Sequence, residues 1–327
     1  MKLIIQIPCY NEEESLPITM ADLPREIENI ETIEYLVIND GSSDRTVEVA
    51  RECGVHHIVN FSKNVGLARG FATGLDACLR LGADIIVNTD ADNQYNGADI
   101  QRLIGPILNG EAGIVIGERP IEKTKHFSKS KKKFQRLGSF VVRVASGTSI
   151  PDAPSGFRAY TREAAMRLNI TNEYTYTLET IIQAGHNKIP MTSVPIRTNG
   201  ELRESRLFKS MWKYMQRSAT VIVRSFMMYK PLRFFTVMGV MFSLGGLAIF
   251  LRFFIAYIAG HGTGMVQSLL FSVLFFVLGF QCFVTGLQSD IVSAHRKILE
   301  DIQFRVRKMD YDANNSANQE FKNNGKP

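Results

Sequence analysis

Apolar and polar positions divide the chain into two regimes. Up to about residue 233, short apolar runs alternate with longer mixed stretches, whereas 234–289 is almost entirely apolar. In the first regime the runs Leu3–Ile7, Glu34–Asn39, His57–Phe61, Ala83–Thr89 and Gly113–Gly117 predict strands. Helices are predicted from Arg45 to about Cys53, over Asn64–Leu81 and near Ala98–Leu108. Asp44 suits the N-cap of the first of these and Gly54 its C′ position. In the second helix Ala68, Gly70, Ala72, Gly74 and Ala77 permit close packing. Strands alternating with helices at this spacing predict an α/β fold with a largely parallel sheet. Ligands of such sheets bind beyond the carboxyl ends of the strands, which is where the loops after the first, second and fourth strands lie.

The second regime reads as membrane. Phe234–Leu251 is uncharged, and Phe253–Ser289 contains no Lys, Arg, Asp or Glu. A bilayer core needs about 20 apolar residues per helix. Two spans are therefore predicted, about Phe234–Tyr257 and Val266–Gln288, with Gly260-His261-Gly262-Thr263-Gly264 as the turn between them. Arg252 lies near enough to that turn to snorkel outward. Arg224, Lys230 and Arg233 precede the hairpin, and Arg296, Lys297, Arg305, Arg307 and Lys308 follow it. The positive-inside rule then predicts a multi-pass protein of the cell (inner or plasma) membrane, with the soluble domain and both termini cytoplasmic. Between Phe208 and Met228, Lys209, Lys213, Arg217 and Arg224 recur at near-helical spacing beside Trp212 and Tyr214. That pattern fits an amphipathic helix in the headgroup region, with an ordinary surface helix as the alternative. Residues 310–327, rich in Asn and charge, read as a disordered tail. The expected organisation is a catalytic domain over 1–207, an interfacial helix over 208–231, a transmembrane hairpin over 232–290 and a basic segment with a disordered tail over 291–327.

Charge sharpens the picture. The formal net charge is +6, but residues 1–122 carry −11, with nine cations against twenty carboxylates. Residues 123–136 carry +7 with no acidic residue, and 197–233 carry +7. Basic pieces of this kind face something anionic, and beside an apolar tail a phospholipid surface is a better partner than a nucleic acid. Cys9, Cys53, Cys78 and Cys282 have no metal-ligand spacing, which fits a reducing cytoplasm. The N-terminus enters its first strand with no signal-peptide pattern.

The candidate chemistry centres on Val87-Asn88-Thr89-Asp90-Ala91-Asp92-Asn93-Gln94-Tyr95. Residues i and i+2 of a strand point the same way, so Asp90 and Asp92 can converge beyond its end. Two carboxylates at that distance repel unless a hard divalent cation lies between them, and such an ion takes its other ligands from water and phosphate. Turn chemistry alone also accounts for an acidic strand end. The loop Asp40-Gly41-Ser42 offers a carboxylate for a ribose hydroxyl or a base N–H, and Pro8 and Tyr10 can frame a flat base; for these loops too, turn chemistry is the alternative.

Taken together, Ile7-Pro8-Cys9-Tyr10-Asn11-Glu12-Glu13, Asn39-Asp40-Gly41-Ser42-Ser43-Asp44 and Asp90-Ala91-Asp92-Asn93-Gln94 resemble the ordered motifs of family-2 glycosyltransferases of GT-A fold. Within that family the chain looks like the dolichyl-phosphate mannose synthase and undecaprenyl-phosphate sugar transferase branch. Asn64-Val65-Gly66-Leu67-Ala68-Arg69-Gly70, Gly117-Glu118-Arg119 and Ser155-Gly156-Phe157-Arg158-Ala159-Tyr160 add to the match, which covers roughly residues 3–215. The resemblance implies that Pro8, Tyr10, Glu12 and Asp40 hold the nucleoside. It implies that Asp90, Asp92 and Gln94 hold Mg²⁺ or Mn²⁺ with the diphosphate, and that Arg119 lies near the transferring phosphates. Arg203-Glu204-Ser205-Arg206-Leu207 departs from the branch, with Arg206 where many relatives have Lys.

The expectation is a metal-dependent, membrane-anchored, inverting glycosyltransferase. It moves a sugar from a nucleotide-diphosphate donor to a polyprenyl phosphate at the cytoplasmic face. Self-association into a homo-oligomer is left open, and no nucleic acid is involved. Lys131, Lys132, Lys133, Arg136, Arg158, Arg203 and Arg206 are the candidate contacts for an anionic acceptor. Glu179 is either a general base or the partner of an acceptor-site arginine. Two alternatives remain: transfer to the hydroxyl of a glycolipid or polysaccharide, or an inactive nucleotide-sugar-binding scaffold. A processive synthase is disfavoured because Gln216-Arg217 is followed by Ser218-Ala219 rather than completing Gln-x-x-Arg-Trp.

Overall fold

The computed structural model describes residues 1–120, 143, 146–170, 176–200, 216, 220, 223, 224, 227–260 and 266–324, with side chains on the last helix as far as Ala313. Two compact units emerge, one formed by Met1–Ile222 with Asp301–Pro327, the other by Val223–Glu300.

The first unit is built on a seven-stranded sheet in the order β3-β2-β1-β4-β6-β5-β7. The strands are β1 Lys2–Cys9, β2 Thr32–Asn39, β3 His57–Asn60, β4 Ile85–Asn88, β5 Ile114–Glu118, β6 Arg158–Thr161 and β7 Met191–Pro195. The pairings β1/β2, β1/β4, β2/β3 and β5/β7 are parallel, as the alternating pattern predicts. Strand β6 departs from it, running antiparallel between β4 and β5. Its carbonyl-end neighbours are therefore reversed, and the chain entering β6 at Ser155-Gly156-Phe157 is delivered to the end where β4 finishes.

Helices α1 Leu16–Asp22, α2 Thr46–Glu52, α3 Leu67–Arg80, α4 Ile100–Leu108, α5 Arg162–Arg167 and α6 Thr177–His186 surround the sheet. On one face Leu3, Ile5, Ile7, Val37, Ile85, Val87 and Val115 join Leu103 and Ile104 of α4 in a single buried core. On the other, α3 packs against β1 and β2, with Gly74 lying against Gln6 and Ile38. Any side chain at Gly74 would collide with both, so the small residues of α3 do serve close packing. Gly54 follows α2 in the left-handed conformation (φ 75°), as its position predicts. Asp44 does not occupy the N-cap; that place is Arg45's. The Asp44 carboxylate instead accepts from the Thr46 N–H at 3.0 Å from one residue farther out.

In the second unit, α7 Pro231–Ile258 and α8, which begins at Val266, are long and apolar enough to cross a membrane. They meet through small residues. A Cβ on Gly239 would sit 2.9 Å from the Gly279 carbonyl, and Ser272 Oγ donates to the Gly246 carbonyl at 3.0 Å. Small contact residues let helix backbones approach where lipid provides no hydrophobic drive. Outward-facing Leu244, Ile255 and Phe280 are 60–68% exposed. The expected turn at 261–264 and most of the expected interfacial helix lie outside the described residues.

The tail differs from expectation. Helix α8 continues to Asn324 instead of giving way to a disordered tail at residue 310. Composition alone misses the reason, which is tertiary anchorage in the first unit. Arg307 donates to the Met166 and Leu168 carbonyls at 3.2 and 3.0 Å, the Arg167 guanidinium covers the Phe304 ring at 4.0 Å, and Tyr311 is buried.

Candidate active site

Strands β1, β2 and β4 end side by side, and the loops after β1 and β2 are stitched together by backbone donors. The Asn11 N–H donates to Ser42 Oγ at 2.9 Å, and the Ser43 N–H donates to Asn11 Oδ1 at 2.8 Å. The Glu12 N–H donates to Thr46 Oγ1 at 2.8 Å. Asn11 and Asn93, just past β1 and β4, are both left-handed (φ 55° and 53°), a conformation asparagine tolerates and most residues do not.

Asp40 is buried, and its two carboxylate oxygens accept from the Val65 and Gly66 N–H groups at 2.7 and 3.0 Å. It thereby ties the β2 loop to the start of α3. Gly41 lets the two loops touch: its φ is +68°, and a Cβ there would lie 2.5 Å from the Lys63 carbonyl carbon. Each Asp40 oxygen retains acceptor capacity for a further donor. Glu12 is buried, Pro8 lies next to the end of β1, and Tyr10 is 42% exposed.

Strand β4 ends at Asn88, so Asp90 and Asp92 lie in the loop and turn that follow rather than on the strand, close enough for their charges to act on each other. Burial and the neighbouring Asp92 charge push the Asp90 carboxyl up to about 7, with a smaller push from Glu12. Arg119 and a hydrogen bond from Tyr95 pull the other way. Gln94 shares the turn, its N–H donating to Asp92 Oδ1 at 3.2 Å. Two carboxylates that destabilise each other's charge are a hard oxygen donor pair of the kind that suits Mg²⁺ or Mn²⁺, although the described residues bring no third Asp, Glu, His or Cys to it. The remaining ligands of such an ion would come from water and phosphate.

Arg119 extends from the end of β5 and is 13% exposed. Its Nε and Nη2 grip Asp152 at 2.8 and 3.0 Å, and its own N–H donates to the same carboxylate at 3.2 Å. Burial alone would lower the guanidinium pKa, but the Asp152 carboxylate, by its charge and its hydrogen bonds, keeps it firmly protonated. The guanidinium is thus a fixed cation beside the acidic pair.

A polar ladder supports Asp90 from below. Gln6 Nε2 donates to Asn88 Oδ1 at 3.0 Å, and Asn88 Nδ2 donates to the Gly156 carbonyl and the Tyr176 hydroxyl at 2.8 and 2.9 Å. The Gly156 N–H donates to the Tyr95 hydroxyl at 3.0 Å. Tyr95 stacks on Phe157 (5.0 Å between centroids) and Tyr176 on Phe71 (3.8 Å). A Cβ at Gly156 would lie 3.1–3.2 Å from both Asp90 oxygens and the Tyr176 hydroxyl, close enough that those groups would have to shift by a few tenths of an ångström.

Arg158 is a correction. Expected at the acceptor, it is instead fully buried and spends its guanidinium on the Ser155 and Ala153 carbonyls and on Thr180 Oγ1, each at 2.7 Å. On β6 its side chain points into the protein and joins the 153–155 turn to α6. Glu179 is buried in the first turn of α6, one residue before Thr180. Lys131, Lys132, Lys133, Arg136, Arg203 and Arg206 lie outside the described residues. Sequence reasoning missed Asp152, Tyr95, Asn88, Tyr176 and Asn199. Tyr95 and Asn88 stand within the singled-out stretch and Gly156 within a singled-out motif, but Asp152 and Asn199 have no local signal at all.

Residues 4–168 match the model of glycosyl transferase family 2. The chain belongs to that family. Among its relatives, the UDP-N-acetylglucosamine–dolichyl-phosphate N-acetylglucosaminyltransferase of Methanococcus voltae is 30% identical over 59% of this chain and 83% of its own. The undecaprenyl-phosphate 4-deoxy-4-formamido-L-arabinose transferase of Salmonella paratyphi B is 24% identical over 94% of this chain and 91% of its own, so that alignment extends into the apolar helices. Among solved structures, glucosyl-3-phosphoglycerate synthase from Mycobacterium tuberculosis, in complex with Mn²⁺, UDP and glucosyl-3-phosphoglycerate, superposes with a TM-score of 0.53. That match covers 69% of this chain and 78% of the other at 17% identity, and it bears out the GT-A-like fold.

Proposed function

We propose that this family-2 glycosyltransferase is membrane-anchored and inverting, and that it transfers a sugar from a nucleotide diphosphate to a polyprenyl phosphate at the cytoplasmic face. The observation that carries the proposal is the Asp90–Asp92 pair beyond β4, with the Arg119 cation held beside it. The polyprenyl-phosphate acceptor is supported by the relatives' activities, and the membrane anchor by the two apolar helices.

Pro8, Tyr10, Glu12 and Asp40 line the nucleoside side of the crevice in this reading. Asp90, Asp92 and Gln94 would hold Mg²⁺ or Mn²⁺, which when bound neutralises charge on the leaving nucleoside diphosphate. Arg119 provides fixed positive charge where negative charge develops, and because Asp152 already orients it, it needs little reorganisation during reaction. The acceptor phosphate carries about −1.5 to −2 charges and attacks opposite the leaving group without a base. Lys131, Lys132, Lys133, Arg136, Arg203 and Arg206 hold that phosphate, while Glu179 is a structural carboxylate.

The test is transfer from a panel of nucleotide sugars to extracted polyprenyl phosphate, with product mass as the readout. The expected product is a polyprenyl phosphosugar, lost on chelation, restored by Mn²⁺ or Mg²⁺ and absent in Asp92→Ala. Sugar appearing only on a hydroxyl acceptor, or undiminished turnover by metal-free protein, would overturn the reading. Orientation is checked separately: a cysteine at Thr263 should react with an impermeant reagent from outside the cell, and one at Lys129 should not.

A further inference from the structure

The segment leaving β7 runs as a strap along the acidic loop. Thr198 bridges Tyr95 in antiparallel fashion, the Asn199 N–H donates to the Gln94 carbonyl at 2.9 Å, and the Asn96 N–H donates to the Arg197 carbonyl at 3.4 Å. The strap is clamped at one end. Arg197 gives its N–H and its guanidinium to Asp99, at 2.6 Å and 2.9–3.2 Å, and Asp99 is 2% exposed.

At the other end the Asn199 side chain is a hub. Its Nδ2 lies 3.4 Å from Asn93 Oδ1, 3.4 Å from the Tyr95 carbonyl and 3.3 Å from Asp22 Oδ2, and its Oδ1 accepts from Asn96 Nδ2 at 3.2 Å. Asp22 in turn accepts from the Gly97 N–H at 2.7 Å. Asn93 is the left-handed residue between Asp92 and Gln94, and its conformation decides where both neighbours point.

We propose that Asn199 is a positioning residue for the metal site, holding the turn through Asn93 so that Asp92 and Gln94 face Asp90. The inference rests on the metal role assigned to Asp90, Asp92 and Gln94 above. Asn199 touches neither the ion nor the substrate. It acts through the loop, and outer partners of metal ligands commonly contribute about 10–100-fold in affinity.

The experiment is a titration of the full-length protein in detergent with Mn²⁺ alone, followed by electron paramagnetic resonance of free and bound ion. Asn199→Ala should weaken Mn²⁺ binding about tenfold or more and alter the bound-ion spectrum. Asn199→Asp keeps the size and the Oδ1 acceptor but loses the donors to Asn93, Tyr95 and Asp22. It should show the same direction, and it is the variant to read if the alanine protein does not fold. Binding within twofold of wild type with an unchanged spectrum, whether or not the unfolding temperature drops, would overturn the proposal, because a purely structural asparagine would behave that way. Wild-type protein that binds no Mn²⁺ at all would instead remove the metal assignment, and the role of Asn199 with it.

Discussion

Arg119 and Asp152 meet as fork on fork, Nε to Oδ2 at 2.8 Å and Nη2 to Oδ1 at 3.0 Å, with Asp152 1% exposed. This geometry fixes both the charge and the direction of the guanidinium beside Asp90. Removing one partner of a buried pair leaves an uncompensated charge and costs about 3–5 kcal/mol. Asp152→Ala should therefore lower unfolding stability by that order in a denaturant titration. Arg119→Lys keeps the charge but loses the bidentate fork. We expect it to stay folded and to lose about a hundredfold or more in turnover, the scale seen when a preorganised charge-stabilising donor is removed. Wild-type turnover in Arg119→Lys would show that the bidentate fork on Asp152 has no part in transfer.

Gly156 is a second lever on Asp90. A methyl group there would enter the 3.1–3.2 Å shell occupied by both Asp90 oxygens and the Tyr176 hydroxyl. Gly156→Ala should displace the carboxylate while disturbing the core little, so sugar transfer falls at least tenfold and thermal unfolding shifts by a few degrees. Full activity in a folded Gly156→Ala protein would mean that Asp90 tolerates displacement.

The raised Asp90 carboxyl makes metal binding pH-dependent. Below about pH 7 the metal-free group keeps its proton, and a cation must displace it. Apparent Mn²⁺ affinity should thus rise between about pH 6 and pH 8. Calorimetry in buffers of different ionisation enthalpy should detect proton release on the acid side. The sign for stability is the opposite. With a folded-state value above the unfolded one, this acid lowers the stability of the metal-free protein progressively from about pH 4 to pH 7. Mn²⁺ affinity that does not change with pH would exclude Asp90 as a ligand.

The end of α8 should matter to the catalytic unit. The Tyr311 hydroxyl donates to Asp76 Oδ1 at 2.5 Å, its ring is 2% exposed, and the Arg80 and Arg162 guanidinium groups lie 5.5 and 5.9 Å from its centroid. Burial and the Asp76 charge raise its pKa to about 12, so the hydroxyl remains a donor. Tyr311→Phe should cost about 0.5–1.5 kcal/mol, one hydrogen bond. Tyr311→Ala should cost about 3–5 kcal/mol, as for other buried aromatics. Hydrogen exchange should show the loss as faster exchange in α3 and α5. Equal exchange in all three proteins would mean that the tail is not coupled to the domain.

Local pattern was enough for much of this protein. Apolar runs, turn residues and uncharged stretches determined the strands β1 to β5, the helices α2, α3 and α4, and the two apolar helices. Each depends on residues close together in the chain, where periodicity and backbone preference act directly. Tertiary structure decided the rest. The antiparallel β6 enters the sheet out of sequence order, and this turned Arg158 inward to carbonyls it could not be assigned to beforehand. Asp152 lies 33 residues from Arg119, and Asn199 is 106 from Asn93. Which donor meets which acceptor over such distances depends on how the layers pack. The tail shows the same division: its polar composition suggested disorder, but the burial of Tyr311 and the carbonyls awaiting Arg307 stabilise it as helix, and only the folded domain provides those partners.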